Sequence, residues 1–403
     1  MNDIAFLPPS PVHLPGANIK VVGVGGAGCN ALSRMIESGV SRVQFIAMNT
    51  DQQSLAQCSA EIKIPLGPMS MRGLGAGGDP EQGLNAAEES RAEILACLDG
   101  ADMIFIAAGM GGGTGTGAAP VIAGCARELN ALAVAVVLTP FNWEGPGKAE
   151  KAAKGLEDLR NMADSVIVVS NEKIKNWCNP NEKIKEAYKT ADSVLIQGVR
   201  GITDLILRPG TLNGDFADVR AVLCNSGEAL IGTGHGRGDS GILDAVHKAL
   251  ECPLLERDQQ GSATKIIVSV MADWDQIELA AVEKAMNFLR EHYKGQPDIK
   301  LCQADVPELD DRVLATVLAS GFGDVVEIAL PDSSQSFEIP EPLTEAIGQG
   351  NAIYGGAPSN PESPTPTRLV HQPPTPSGEL ADITQDIRVP TIIRVSDRLP
   401  MDR

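Results

Sequence analysis

The chain has 403 residues, 43% hydrophobic and 21% charged, enough for two packed domains and a tail, because single cores rarely outgrow about 250–300 residues. Its 52 acidic against 33 basic residues give a formal charge of −19, a surface that repels phosphate backbones and anionic headgroups and so excludes general nucleic-acid binding and direct membrane insertion. The longest apolar run, Ala131 to Leu138, is far short of the ~20 residues of a membrane-spanning helix, and no Lys or Arg precedes Lys20 to open a signal peptide, so a cytoplasmic protein is expected.

Residues 1–17 hold four prolines without periodicity and read as a flexible extension. Order is expected from Asn18. Short apolar runs at Lys20 to Gly25, Val43 to Asn49, Glu61 to Leu66, Met103 to Ala108, Ala131 to Thr139 and Ser165 to Ser170 read as strands, with helical patterns such as Pro80 to Leu98 and Gly115 to Leu129 between them. Strands apolar almost throughout are buried on both faces, and their alternation with helices predicts an α/β, doubly wound parallel-sheet domain. A long helix follows from about Asn181 to Leu205, and another begins near Phe216. Runs at Thr264 to Met271, Ile299 to Ala304 and Arg312 to Ala319, with the amphipathic helix Gln276 to Tyr293, predict a smaller α/β unit. Twelve of the 27 prolines fall in residues 331–403, where too few large apolar residues remain to offset ordering entropy. A disordered C-terminal tail is expected, broken by the apolar and basic island Ile387 to Arg394. The eight cysteines form no CxxC pair, which argues for reduced thiols rather than a disulfide framework or a zinc site.

Three glycine-rich loops carry the chemistry. The first strand runs into GVGGAGCNA, Gly23 to Ala31, where backbone N–H groups can approach a phosphate at a helix N-terminus. Gly23, Gly25 and Gly28 also spell GxGxxG, which taken alone fits a dinucleotide fold with Asp51 on a ribose, or a tight turn packing a helix on a sheet. GMGGGTGTGAAP, Gly109 to Pro120, again joins a strand end to a helix, and RGLGAGGDP, Arg72 to Pro80, follows a third strand. Strand C-termini of a parallel sheet share one edge, so all three loops can surround one chain of phosphates.

GGGTGTG, Gly111 to Gly117, resembles the tubulin signature. With GVGGAGCNA, RGLGAGGDP and PFNWEG it is similar to the FtsZ family of tubulin-like bacterial cell-division GTPases, over about Asn18 to Phe322. The resemblance implies a GTP-binding domain over 18–180, a connecting helix and synergy loop over 181–215, a C-terminal α/β domain over 216–325, a linker over 326–385 and a partner-binding peptide over 386–403. It implies GTP and GDP as ligands, Mg²⁺ as cofactor, a head-to-tail homopolymer, and a place at the mid-cell division site. Nucleotide contacts are implied for Gly25, Gly26, Ala27, Gly28, Cys29 and Asn30, for Gly75, Ala76 and Gly77, and for Gly111, Gly112, Gly113, Thr114, Gly115 and Thr116, with Gly26 to Asn30 and Gly113 to Gly115 at the phosphates. Glu144 is implied to bind the ribose, Asn171 and Asp192 to read guanine, and Tyr188 to stack on the base. The family pattern EGxxR here ends in Lys148, which keeps the charge of the expected arginine but not its fork of donors.

Asn213, Asp215 and Asp218 match the family's synergy loop, whose acids are implied to polarise the attacking water; read alone, Asp215 is equally a helix N-cap. A helix from about Asn181 to Leu205 rises ~1.5 Å per residue and spans well over 30 Å, so acids at its end reach only a neighbour's phosphates. Val389 to Arg394 resembles the family's C-terminal peptide for membrane tethers and division regulators, or is a sticky remnant in a tail.

Overall fold

A computed structural model describes residues 17–175, 183–207, 215–252, 263–293 and 297–322. The first half alternates as the sequence predicts: β1 (Ile19–Val24), α1 (Gly25–Glu37), β2 (Gln44–Asn49), α2 (Gln52–Gln57), β3 (Ile62–Pro65), α3 (Pro80–Glu89), α4 (Arg91–Leu98), β4 (Met103–Gly109), α5 (Thr114–Glu128), β5 (Leu132–Thr139), α6 (Pro146–Met162) and β6 (Ser165–Ser170). A short α7 (Asn171–Lys175) and the long α8 (Ile184–Leu207) lead to α9 (Phe216–Leu223), β7 (Gly227–Arg237), α10 (Gly241–Leu250), β8 (Lys265–Ala272), α11 (Leu279–His292), β9 (Asp298–Asp305) and β10 (Arg312–Ser320).

The strands lie in the order β3-β2-β1-β4-β5-β6-β7-β10-β8-β9. Six parallel strands in the order 3-2-1-4-5-6 put the topological switch point between β1 and β4, where the crevice beyond the strand C-termini takes ligands in sheets of this kind. Alternation along the strands sorts their side chains into two cores. Ile19, Val21, Met103, Phe105, Leu132, Val134 and Val136 face α1 and α8, whereas Val22, Ile104, Ile106, Ala133, Ala135 and Val137 face α3 to α6. Alanines on the second face let α5, itself built on Gly115, Gly117, Ala118 and Ala119, lie close to the sheet.

The parallel sheet runs into the second through only two residue pairs, Ser165 with Gly227 and Val166 with Glu228. Beyond them β10 pairs antiparallel with β7 and β8, and β8 pairs parallel with β9. α10 and α11 cover this mixed sheet over a third core that includes Leu230, Val246, Val268 and Leu289.

Two elements differ from the sequence reading. The expected helix Pro80 to Leu98 is broken at Ser90, whose hydroxyl accepts the Gly67 N–H at 3.0 Å. The strand β7 and the helix α10 were not expected at all. GEALIGTGHGR lacks apolar alternation because a Cβ on Gly234 would stand 2.0 Å from the Ala245 carbonyl oxygen and one on Gly236 only 1.9 Å from that of Gly241, so α10 rests directly on the strand backbone. The tail, the N-terminal extension and the partner peptide Val389 to Arg394 lie outside the described residues, and no helix among the described residues is long and apolar enough to cross a membrane.

Candidate functional site

The glycine loops converge at the switch point. A Cβ on Gly28 would stand 2.2 Å from the Ala107 carbonyl oxygen of β4, so glycine there lets α1 enter against the neighbouring strand. Gly25, in the left-handed region at φ 70°, turns the chain straight into α1. Gly25, Gly28 and Cys29 are buried, while Gly26, Ala27 and Asn30 are exposed on the crevice side of the helix start. Neither α1 nor α5 has a side-chain cap or an acid in its first turn, so both helix N-termini present free N–H groups and positive dipole ends.

The other two loops lock onto this pair. The Thr50 and Thr114 hydroxyls share a hydrogen bond of 2.6 Å, and the Thr116 hydroxyl accepts the Gly111 N–H at 2.8 Å. Ala76 is buried where a Cβ on Gly113 would meet it at 2.8 Å, so Ala76 turns toward the protein while Gly77 faces open space and Gly75 is half-buried. Lys151 of α6 ties the Gly78 carbonyl at 2.7 Å. Gly115 is buried inside α5, packed on Gly109. Gly112 differs from all of these: a Cβ there would meet no atom within 4 Å, and its backbone is not left-handed. Among the described residues nothing explains the missing side chain at Gly112; a ligand approaching the backbone would, and the same account would cover Gly26, whose nearest neighbour is the Ser54 hydroxyl at 4.0 Å.

At the far side of the crevice, Phe141 carries two rings, Trp143 stacked at 5.6 Å and Tyr188 edge-on at 5.5 Å. Burial, with the Glu144 carboxylate beside it, raises the Tyr188 phenol above its ordinary value. Both Glu144 oxygens are engaged, one by the Phe141 N–H at 2.9 Å and one by Lys148 at 2.7 Å, so this pair also closes the turn that leads to α6. Asn171 is 4% exposed, and among the described residues its Oδ1 accepts no hydrogen bond. A buried amide oxygen without a donor costs about 1–3 kcal/mol, and a bound N–H donor would relieve it. Asp51 is a helix cap, its Oδ1 accepting the N–H groups of Gln53 and Ser54 at 2.9 and 3.2 Å, which gives it a structural role without a ribose.

Asp192, 6% exposed on α8, is held by Arg34 of α1, a partner the sequence reading missed. The signal was the single cation of α1, with Asn30 and Ala31 one turn before it and Glu37 one turn after. Burial pushes the Asp192 carboxyl from 3.8 up to about 6, against the pull of Arg34. A carboxyl raised in this way adds stability only at low pH and loses it as pH rises through about 6. Asp192→Asn, which keeps the neutral shape, is therefore expected to stabilise the nucleotide-free protein by about 3 kcal/mol near pH 7.5, from a shift of about two pKa units. By the same linkage the gap shrinks to about 1 kcal/mol near pH 4.5. Urea denaturation of both proteins at the two pH values checks this; a gap that does not narrow with acid refutes it.

Asp215 and Asp218 form a reciprocal capping box at the start of α9: Asp215 Oδ1 accepts the Asp218 N–H at 2.9 Å and Asp218 Oδ2 accepts the Asp215 N–H at 3.0 Å. Asn213 lies outside the described residues. Lys300 of β9, also missed from sequence, bonds Asp218 Oδ1. Burial alone would raise the Asp218 carboxyl, but Lys300 and the Asp215 N–H hold it below the usual carboxylate range. Contacts of α9 fix its place at the N-terminal edge of the parallel sheet: Arg220 donates to Asn130 just before β5, and the following Ser226 and Gly227 N–H groups bond Asp164 just before β6. The eight residues of β5, at ~3.3 Å each, set that edge about 25 Å from the glycine loops.

Comparisons agree with this geometry. Residues 18–179 match the Tubulin/FtsZ family, GTPase domain, and residues 227–323 match the FtsZ family, C-terminal domain. An FtsZ dimer from M. jannaschii, solved empty, is 39% identical with a TM-score of 0.71, over 77% of this chain and 90% of that one. CetZ2 from Haloferax volcanii, solved as a GTPγS-bound protofilament, shares the fold at 22% identity and a TM-score of 0.66, over 75% of this chain and 92% of that one. Two uncapped helix N-termini at a switch point, a long helix beside them and both matched domains lead to one conclusion: the chain belongs to the Tubulin/FtsZ family of GTPases.

Proposed function

We propose that the chain binds and hydrolyses GTP, polymerises head to tail, and scaffolds the division ring beneath the membrane, with each active site completed by the next subunit. One observation carries the reading: phosphate-suited loops lie at one edge of the sheet and the acid pair Asp215 and Asp218 at the other. An M. jannaschii FtsZ solved as a dimer and a CetZ2 solved as a protofilament support self-association.

On this reading the free N–H groups of Gly26 and Ala27 at the start of α1 and the N–H groups of Gly112 to Gly115 cradle the phosphates, Lys148 adds charge, and Glu144 serves the ribose. Asn171 offers its unpartnered Oδ1 to a guanine N–H, a donor that adenine lacks at that position, with Asp192 beside it and Tyr188 against the base. Among the described residues no three His, Cys, Asp or Glu side chains cluster to cage a metal, so Mg²⁺ would come with the phosphates and neutralise their charge. Water attacks the γ-phosphorus, GDP leaves and phosphate is released, while the neighbour's Asp215 and Asp218 orient the water. Phosphoryl transfer of this kind depends mainly on positioning and electrostatics, so no covalent nucleophile is needed. Val389 to Arg394 would anchor the tail to an acidic tether, at the end of a linker whose ~55 residues reach on the order of 40 Å.

The test is sedimentation with GTP, GDP or ATP, with phosphate release measured in parallel. GTP alone is expected to give polymer and phosphate, and Asn171→Ala to lower GTP affinity about tenfold while leaving ATP binding equally weak. Equal assembly and turnover with ATP would overturn the guanine reading; phosphate release independent of protein concentration would overturn the link to assembly.

A further inference from the structure

Each Asp218 oxygen already holds one bond. Its Oδ2 accepts the Asp215 N–H and its Oδ1 the Lys300 ammonium, whereas among the described residues exposed Asp215 uses only Oδ1. Among the described residues Lys300 is the one cation bonded to either acid, and it arrives from a different sheet, on β9, between Ile299 and Leu301. Its side chain is 46% exposed, so it does not fill a core position.

We propose that Lys300 is a positioning residue of the hydrolytic face: it pins Asp218, and through the capping box fixes Asp215, with the free Asp215 oxygen directed outward for water. The inference rests on the proposed action of the two acids on a neighbour's nucleotide. Its physical basis is charge as well as geometry. Two bare carboxylates brought against a triphosphate repel it, and the bound ammonium removes half of that charge. An exposed capping box without a third tether also frays easily, and a misplaced water costs turnover rather than nucleotide affinity.

The groups around Asp218 are few. On α9 and its cap they are Asp215 and Arg220, the latter turned to Asn130; β9 brings Lys300 and the Cys302 thiol, which burial pushes up to about 11; β8 brings Lys265, bonded to the Ala221 carbonyl. Among them Lys300 is the one cation that lowers Asp218 by direct contact, beside the Asp215 N–H.

The experiment compares Lys300→Met, Lys300→Arg and Asp218→Asn with the native full-length chain, measuring GTP affinity, turnover per mass of sedimented polymer, and its pH profile. Lys300→Met is expected to lose about tenfold in turnover with GTP affinity within twofold of native, and its acid limb to move to higher pH because Asp218 has lost its cation. Lys300→Arg restores turnover to within about threefold. Native turnover in Lys300→Met beside an inactive Asp218→Asn overturns the role of Lys300 alone. Native turnover in Asp218→Asn overturns the acid reading on which it rests. A Lys300→Met loss that Arg does not rescue, with an unmoved acid limb, marks Lys300 as structural support and also overturns the proposal.

Discussion

Asp215→Ala and Asp218→Asn are expected to lower GTP turnover about a hundredfold or more while leaving each subunit's GTP affinity within twofold of native. The size is that of losing a group which orients the attacking water in a preorganised site. Affinity is spared because the acids lie at the sheet edge remote from the glycine loops of their own chain. Some stability goes with the change: loss of one side of the capping box costs about 1 kcal/mol, too little to unfold the protein. The decisive measurement mixes two inactive proteins. Asp215→Ala keeps a sound nucleotide end, and Gly112→Val keeps sound acids, so one subunit of each kind makes one complete site between them. Neither alone turns over GTP, and an equimolar mixture is expected to recover a clear fraction of native activity. A mixture as dead as its parts, with Asp215→Ala still binding GTP, would end the case for catalysis across the subunit contact.

The second large effect separates glycines that serve packing from one that the proposed function assigns to a ligand. Gly28→Ala forces a Cβ to within 2.2 Å of the Ala107 carbonyl oxygen, and neither backbone can yield without moving α1 off β4. A cost of about 3 kcal/mol or more is expected, a large part of the stability of an ordinary domain. Gly112→Val meets open space in an ordinary backbone conformation, so its melting temperature without nucleotide should stay within about 2 °C of native. Its branched side chain stands where phosphate would approach, and GTP affinity should fall by at least about a hundredfold. Thermal melts with and without GTP distinguish the two. If Gly112→Val is stabilised by GTP as strongly as the native protein, the phosphates lie elsewhere.

Much of the fold was legible because two periodicities rarely mislead. Strands such as Met103–Gly109 and Leu132–Thr139 are apolar on both faces and can lie only inside a covered sheet. The strand β7 was illegible for the opposite reason: its glycines at 234 and 236 report the closeness of α10, a tertiary contact that carries no local signal. Ser90 hides its helix break similarly, since its partner Gly67 is far along the chain. At the site, the loops could be read because backbone approach demands glycine, and the sequence writes that demand openly. The charges that hold the acids could not. Arg34 on Asp192 and Lys300 on Asp218 are pairings across the fold, 158 residues apart in the first case, and only the topology brings them together.

The narrow join between the sheets has a mechanical consequence. β1 and β4 are held by six residue pairs, β6 and β7 by two. Side-chain packing bridges that join: Val194, Leu195, Val199 and Ile202 of α8 share one core with Ile167 of β6, Ile231 of β7 and Leu318 of β10. A torque between the two sheets is therefore borne by a helical strut about 36 Å long rather than by the ladder of strands. Such a body is stiff along the strut and compliant across it. Rocking one sheet against the other opens two backbone pairs and slides apolar surfaces, while the rigid edge that carries the glycine loops keeps its shape.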